Sequence, residues 1–258
     1  MKLTFLGTGT SFGIPVVGCR CRVCTSSDTR NRRGRHGLLI ETTEGRLLVD
    51  TPPELRLQLL QAGTERLDAV YVTHPHADHL HGMDDLRIFS LRSRRPLPVY
   101  VPAEYATEVR DRFAYIWDAE SRDQPGMAVP DLDLRTFEDR TPVAVAGLGL
   151  LPIACPHGYY RSYGFRAGDA ALVVDAKGIP EDARDRLQGL EVLILGALWR
   201  GDPHPAHLNV EEALDLAAQL GAKRTYLTHL THRLDHADLE RELPQGVFPA
   251  YDGLVVEC

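Results

Sequence analysis

Short apolar runs and alternating apolar and polar positions recur along the chain, and they predict many strands separated by helices. The first half predicts strands at residues 2–6, 38–42, 47–50, 69–73 and 99–101, with helices at 54–62, 84–94 and 104–113. From residue 132 onward the runs predict a second sheet, with strands at 143–145, 148–153, 164–166, 171–174, 192–195 and 224–227, a helix at 210–220 and a closing strand at 254–257. Residues 124–131, which contain two prolines and a glycine, predict a mobile insert.

Two strand-rich halves, each with its own helices, predict an α/β fold of the αββα sandwich type. In this architecture two mixed β-sheets pack together and helices cover their outer faces. The chain has 258 residues, 43% of them hydrophobic, which suits one large core. We therefore expect a single domain over residues 1–258.

The glycines that follow the first strand are the first candidate for chemistry. Gly7-Thr8-Gly9 has the wrong spacing for the dinucleotide-binding fingerprint, and no amphipathic helix follows it. We expect these glycines to let the backbone turn tightly beside a site.

Composition narrows the cellular setting. The N-terminal apolar run is too short for a signal peptide, and no stretch reaches the length of a membrane span, so a cytoplasmic protein is expected. The net charge of −7 argues against a general nucleic-acid coat. A basic run at residues 30–35 is typical of a solvated loop, although arginine forks would also suit an anionic substrate.

The strongest chemical signal directly follows the predicted strand at residues 69–73. There His74, His76, Asp78 and His79 form an H-x-H-x-D-H cluster. A histidine-rich surface loop needs no function, but the strand before this cluster places it at a sheet edge. Imidazole and carboxylate donors suit zinc, manganese or iron better than calcium. The cluster predicts a metal site.

This motif resembles that of the metallo-β-lactamase superfamily, and the resemblance extends over nearly the whole chain. It implies a metal-dependent hydrolase with a binuclear site, in which a metal-bridging hydroxide attacks the substrate. In that family the H-x-H pair binds one metal and the D-H pair binds the other. Carried over, the ligands of the first metal are His74, His76 and His157, those of the second are Asp78, His79 and His229, and Asp175 is the bridging carboxylate.

The downstream residues of this set also have structural interpretations. His157 could lie in an ordinary turn, and an aspartate such as Asp175 commonly starts a turn after a strand. Asp50 matches the family's buried aspartate that orients a ligand histidine, although it too could be a turn residue. The argument for a site is that several strand ends deliver ligand-type side chains, since sheet edges hold such groups rigidly.

A cysteine loop narrows the resemblance to one branch of the superfamily. The segment from Gly13 to Cys24 resembles the entry segment of the PhnP-type phosphodiesterases, which hydrolyse phosphoribosyl cyclic phosphate. In those enzymes three cysteines and a histidine hold a structural zinc. The resemblance assigns this role here to Cys19, Cys21, Cys24 and His232, and three free buried thiols are the alternative.

His207 resembles the catalytic histidine of the same enzymes that is not a metal ligand. It precedes a predicted helix that Asn209 can cap, and an exposed histidine before a helix is the plain alternative. His204 shares the loop as a weaker candidate. The resemblance further implies manganese or zinc at the catalytic pair, zinc at the cysteines, Asp78 and His207 as catalytic residues, and a homodimer.

We therefore predict a phosphodiesterase that cleaves a small cyclic or ribose-linked phosphodiester, with neither a membrane nor a nucleic acid as partner. Two alternatives stay open. The first is an endoribonuclease of the tRNA 3′-processing type, motivated by Gly7-Thr8-Gly9 and the basic run. The second is a metalloprotein or biosynthetic helper of the same fold that does not hydrolyse its ligand.

Overall fold

The computed structural model describes residues 1–118, 120, 126 and 128–258, and part of the predicted insert at residues 124–131 lies outside them. Two seven-stranded sheets form the centre. The first sheet has the order β14-β1-β2-β3-β4-β5-β6, and its strands are Lys2–Gly7 (β1), Gly37–Glu41 (β2), Arg46–Val49 (β3), Ala69–Tyr71 (β4), Leu97–Pro102 (β5), Leu132–Phe137 (β6) and Val255–Glu257 (β14). The second has the order β13-β12-β11-β10-β9-β8-β7, and its strands are Val143–Val145 (β7), Leu148–His157 (β8), Tyr160–Ala167 (β9), Ala170–Val173 (β10), Val192–Gly196 (β11), Arg224–Thr228 (β12) and Val247–Pro249 (β13).

Both sheets are mixed. In the first, β14, β1, β2 and β3 pair antiparallel, whereas β3, β4, β5 and β6 pair parallel. In the second, β7 to β10 pair antiparallel and β10 to β13 pair parallel. This confirms the predicted fold class of two mixed sheets.

Helices cover the outer face of each sheet. The α-helices are Leu55–Gln61 (α1), Ala77–Leu80 (α2), Arg87–Ser93 (α3), Ala106–Arg112 (α4), Ala114–Trp117 (α5), Glu181–Arg184 (α6), Val210–Leu220 (α7) and His236–Glu242 (α8). Short 3-10 helices lie at Thr29–Asn31, Met83–Leu86, Ala103–Tyr105 and Asp185–Leu187. Within the described ranges, no helix is long and apolar enough to cross a bilayer.

The period of two along each strand builds three apolar layers. In β11, Val192 and Ile194 pack between the sheets, whereas Leu193 and Leu195 face the helices of the second sheet. In β3, Leu47 likewise faces the other sheet while the neighbouring side chain joins the cluster under the helices of the first sheet. Because both faces of such a strand are buried, its sequence is a continuous run of apolar residues.

The sequence assigns β14 to the wrong sheet, misses β6 and ends β8 too early. The closing strand β14 does not complete the second sheet, because it pairs with β1 in the first. The segment that begins at residue 132 also belongs to the first sheet, as β6 beside β5. Strand β8 reaches His157 rather than ending at residue 153, since it pairs with β9 over its whole length.

Helix α7 begins and ends as the sequence predicts. The Asn209 side chain accepts a hydrogen bond from the Glu212 backbone N–H at 2.8 Å, and the Glu212 carboxylate accepts one from the Asn209 N–H at 3.0 Å. This reciprocal capping satisfies two donors that the first turn leaves free. The cap fixes the chain just after His207.

Candidate metal centre

The strand ends on one side of the two sheets converge. His74 to His79 follow β4, Asp50 follows β3, His157 ends β8, Asp175 follows β10 and His229 follows β12. Because both sheets end at this edge, their side chains meet there. The two sheets are joined directly beside the site by a hydrogen bond of 2.9 Å from the Tyr163 N–H to the Thr73 carbonyl.

Three residues at this edge have a left-handed backbone. The φ angles of Asp50, Asp175 and His229 are 63°, 50° and 58°. L-residues seldom adopt this conformation, and it persists where the surrounding structure enforces it. The turn that each makes aims its side chain into the space between the sheets instead of along the strand.

Ligand-type atoms form two groups that share Asp175. One contains His74, His76, His157 and Asp175, the other contains Asp78, His79, Asp175 and His229, and within each group the ligand-type atoms lie within 4.8 Å of one another. The structure thus brings together all seven residues that the resemblance assigns to the metal pair. Their role as ligands stays a prediction.

The first group presents bare imidazole nitrogens to one point. His76 Nδ1 lies 3.0 Å from His74 Nε2 and 3.1 Å from His157 Nε2. The Nδ1–H of His157 donates to the Ala206 carbonyl at 3.0 Å, which leaves its Nε2 as an acceptor. Three nitrogen lone pairs that face each other repel unless a cation or a proton lies between them.

The second group is rich in negative charge. His79 Nε2 lies 3.4 Å from an oxygen of Asp78 and 3.4 Å from an oxygen of Asp175. His229 Nε2 lies 3.0 Å from the other oxygen of Asp175. Although burial opposes ionisation, His229 and His79 hold the pKa of Asp175 well below its ordinary value. Burial likewise opposes a charge on His79, yet Asp175, Asp50 and Asp78 raise its pKa well above the ordinary value. The same carboxylates would stabilise a divalent cation.

Several buried polar atoms here have no hydrogen-bond partner among the described residues. They are His79 Nε2, Asp175 Oδ1 and both ring nitrogens of His229. Buried polar groups are nearly always satisfied in folded proteins, so unpaired atoms aimed at one point fit a bound ion. The donor set of imidazoles and carboxylates fits divalent transition metals.

Asp50 orients one histidine of each group. It is fully buried, and its Oδ2 accepts the Nδ1–H of His79 at 2.7 Å. It also accepts the Thr73 hydroxyl at 2.9 Å, and that hydroxyl oxygen lies 3.0 Å from His74 Nδ1. Burial raises the pKa of Asp50, against the pull of His79 and the Thr73 donors. A single carboxylate therefore sets the tautomers of His74 and His79.

Sequence reasoning missed His36. Its side chain is fully buried, its ring centre lies 5.6 Å from that of His79, and its Nε2 lies 3.8 Å from Asp50 Oδ2. Burial lowers its pKa to about 3, so the ring is neutral behind the metal centre. A single histidine directly after a basic run gives no sign in the sequence that its side chain is buried behind the ligand histidines.

His207 lies at the open side of the metal centre. Its ring centre is 4.6 Å from that of His157 and 5.2 Å from that of His229, with which it stacks. Burial lowers its pKa to about 3, with Asp175 opposing and His229 and His157 adding to the effect. A neutral imidazole is therefore available there as a hydrogen-bond donor. The cavity in front of it measures about 370 Å³ and is also lined by Ser11, Tyr159 and Tyr160.

The cysteine loop forms a second, separate cluster. The Nδ1 atom of His232 lies 3.3 Å from Cys19 Sγ, 3.6 Å from Cys21 Sγ and 3.5 Å from Cys24 Sγ. The Cys24 N–H donates to Cys21 Sγ, which lowers the pKa of Cys21. The Val16 N–H donates to Cys24 Sγ, but burial outweighs this contact and raises the pKa of Cys24 to about 11. These distances suit four ligands around a tetrahedral zinc.

The basic run is mostly engaged by protein groups. Arg33 is buried and donates to the Thr231 and Leu234 carbonyls. Arg30 pairs with Asp28 and Glu240, and Arg35 pairs with Glu54. Gly7 permits this packing, since a Cβ there would lie 1.9 Å from the Arg35 carbonyl oxygen. The backbone at Gly7 therefore lies directly against the backbone of the basic run, where a side chain would not fit.

Comparison with known protein families identifies the superfamily of this chain. A model described as the beta-lactamase superfamily domain matches residues 45–230. The chain belongs to this superfamily and has the metallo-β-lactamase fold.

Three known proteins are similar to most or all of this chain. A crystal structure described as a new diphosphatase from the PhnP family is 35% identical with a TM-score of 0.90, and the match covers 100% of this chain and 97% of that one. An octanoyltransferase of Porphyromonas gingivalis is 38% identical over 98% of this chain, which spans 51% of that protein. The chain thus spans about half the length of that relative. A ribonuclease Z of Methanopyrus kandleri is 26% identical, and the match covers 87% of this chain and 91% of the relative.

Proposed function

We propose that the chain is a metal-dependent phosphodiesterase that cleaves a small cyclic or ribose-linked phosphodiester. The observation that carries this proposal is the pair of ligand groups that share Asp175 beside an open cavity. The likeness to a PhnP-family diphosphatase over the full chain supports the same chemistry. A cavity of about 370 Å³ suits a small ester.

In this proposal His74, His76 and His157 would hold one metal, Asp78, His79 and His229 would hold the other, and Asp175 belongs to both ligand groups. Two divalent ions bound there would supply a Lewis acid for a phosphoryl oxygen and an activated water. Either manganese or zinc fits these donors, and a structural zinc fits the cysteine cluster.

The chain's own residues position the ester. His207 donates a ring N–H to a phosphoryl oxygen that lies between it and the metal ligands. In the hydrolysis a water oxygen forms a new bond to phosphorus and gives up a proton, the bond to the leaving oxygen breaks, and a proton from solvent balances the one lost by adding to that leaving oxygen. Asp50 and the Ala206 carbonyl hold His74, His79 and His157 in place throughout the reaction.

The test is turnover of bis(p-nitrophenyl) phosphate by the metal-loaded protein. His207→Ala is expected to lower kcat by roughly 10² to 10³, the usual cost of removing one preorganised donor. His81→Ala is the matched control, since this histidine is exposed and outside both ligand groups. Equal kcat values for wild type and His207→Ala contradict the role of His207, and absence of metal-dependent turnover contradicts the proposed function.

A ribonuclease of the RNase Z type is the second candidate, and the Methanopyrus kandleri relative favours it. Against it stand the net charge of −7 and the pairing of Arg30, Arg33 and Arg35 with protein groups. Such a nuclease would cleave precursor tRNA with a steep dependence on salt. Cleavage that is strong at low salt and lost at moderate salt, without diester turnover, would support this candidate instead.

Octanoyl transfer does not fit the described site. Acyl transfer through a covalent intermediate needs an activated nucleophile such as a thiolate. Cys155 is fully buried, and burial raises its pKa to about 12. Cys19, Cys21 and Cys24 face His232, and Cys258 contacts the Met1 carbonyl. Since the match covers about half of the Porphyromonas gingivalis protein, its other half is free to carry that activity.

A further inference from the structure

A second cavity of about 230 Å³ lies beside the metal centre, and the chemistry described so far does not use it. Its walls include Phe12, Ile14, Val16, Trp199 and Arg233. Apolar and aromatic side chains dominate this lining. Small-molecule sites combine such surfaces with a few polar groups at the rim.

The two aromatic residues of this cavity differ in exposure. Phe12 is 73% exposed, so most of its ring surface is accessible. Trp199 is half-buried and fixed in place by a hydrogen bond of 2.8 Å from its Nε1–H to the Asp202 carbonyl. The guanidinium of Arg233 lies 4.6 Å from the centre of the Trp199 ring. The tryptophan is therefore held in place, with Arg233 against one face of its ring and the ring itself in the wall of the cavity.

This cavity and the catalytic cavity adjoin along two walls. On one wall Ser11 lines the catalytic cavity, and its chain neighbours Thr10 and Phe12 line the second one. On the other wall the rings of Trp199 and His204 lie 5.5 Å apart, and those of His204 and His207 lie 4.9 Å apart. A molecule whose phosphate contacts His207 therefore has an aromatic surface within reach.

We propose that this aromatic subsite, formed by Phe12 and Trp199, binds the planar nucleobase of a substrate in which a nucleoside is linked through phosphate. The proposal rests on the proposed function, because it assigns the phosphate to the metal centre. The cavity is smaller than the roughly 300 to 1,000 Å³ of drug-sized ligand sites, so it takes one ring system while the rest of the substrate lies elsewhere. Stacking on aromatic rings is tolerant of base identity.

The cysteine cluster supports this wall. His232 lines the subsite and also faces the three cysteine sulfurs. The Val16 N–H donates to Cys24 Sγ at 3.3 Å, which ties another wall residue to the same cluster. A zinc bound there would fix the loop that carries Phe12.

Calorimetric titration with AMP and with ribose 5-phosphate isolates the contribution of the base, because these two probes share the ribose and the phosphate. We expect the wild-type protein to bind AMP about tenfold more tightly, the fold-change that corresponds to stacking of one base. Trp199→Ala and Phe12→Ala should each reduce this preference severalfold and leave the affinity for ribose 5-phosphate unchanged. Trp199→Phe, which keeps an aromatic ring, should retain the preference for AMP.

The control is Phe248→Ala, which removes an exposed phenylalanine from the edge strand β13 and should keep the preference. Phe12→Ala protects the test against misfolding, because this side chain is mostly exposed. Equal binding of the two probes by wild type, or an unchanged preference in both alanine variants, would overturn the proposal. A preference for AMP without any diester turnover would support the subsite and contradict the proposed function. Diester turnover with equal binding of the two probes would support the proposed function and contradict the subsite.

Discussion

The two ligand clusters differ in donors and in access. The His/Asp centre combines buried imidazoles with the carboxylates of Asp78 and Asp175 and faces an open cavity. The cysteine cluster has three thiols and one imidazole, and it contains no carboxylate. Its four ligands fill a tetrahedron, whereas the other centre has space for a substrate.

This difference teaches what each cluster does in the fold. The His/Asp centre collects ligands from strand ends that are already fixed by the two sheets. The cysteine cluster instead joins a loop near the N-terminus to His232, and Cys19 is 213 residues away from that histidine. Closing so long a loop restricts the unfolded chain, so a metal there acts on stability. A metal at the other centre would act on the reaction that we propose.

The largest expected effect comes from Asp78→Ala. Loss of this carboxylate removes charge from the second ligand group, and we expect kcat for a chromogenic diester to fall by roughly a thousandfold or more. Metal analysis of the same sample should show the cysteine-bound zinc unchanged. Asp215→Ala, an exposed substitution on α7, is the control. Retained activity in Asp78→Ala would contradict the assignment of catalysis to the His/Asp centre.

Chelation should separate the clusters without mutation. Brief dialysis against a chelator is expected to abolish activity while one zinc and the melting temperature are retained. The reason is that four protein ligands close a Cys₃His zinc site, whereas a catalytic site keeps a coordination position open. Activity should return on addition of manganese or zinc. Simultaneous loss of all metal together with unfolding would show that the two clusters do not differ in access.

Asp50→Asn tests the shared support of the two ligand groups. The amide cannot accept from His79 and Thr73 in the same way as the carboxylate, so we expect a loss of about 10- to 100-fold in metal affinity or activity. Measured by metal titration, the binding of both ions should weaken, because Asp50 holds His79 directly and His74 through the Thr73 hydroxyl. Weakening of a single ion would contradict that shared role.

Cys21→Ala should have the smallest effect on chemistry and a clear effect on stability. We expect loss of one zinc and a lower melting temperature, by roughly 6–12 °C if about 3 kcal/mol is lost in a chain of this size. Diesterase activity per folded molecule should change by severalfold at most. Cys258→Ala, outside the cluster, should keep the zinc. An unchanged melting temperature in Cys21→Ala would rule out the structural role.

The sequence predicts most strands and helix α7 because their apolar periodicity is strong, and it places the candidate ligands at strand ends. It fails where periodicity carries no information. Nothing in a short apolar run tells which sheet it joins, which is why the closing strand β14 is predicted in the wrong sheet. Helix α8 has few apolar positions, and the single turn of α2 is hidden within the histidine cluster.

The site shows the same division. Ligand spacing within His74 to His79 is visible in the sequence, whereas the convergence of His157, Asp175 and His229 came from the family resemblance. The buried position of His36 and the aromatic cavity of Phe12 and Trp199 depend on chain segments far apart in sequence. Contacts of that kind leave no local pattern.

The most direct test of two distinct metal clusters is a crystal structure of the metal-loaded protein with anomalous data at the zinc and manganese edges. Our account predicts three peaks in each chain, two flanking Asp175 and one among Cys19, Cys21, Cys24 and His232. A single peak at the His/Asp centre, or cysteines joined by a disulfide with no metal between them, would contradict it.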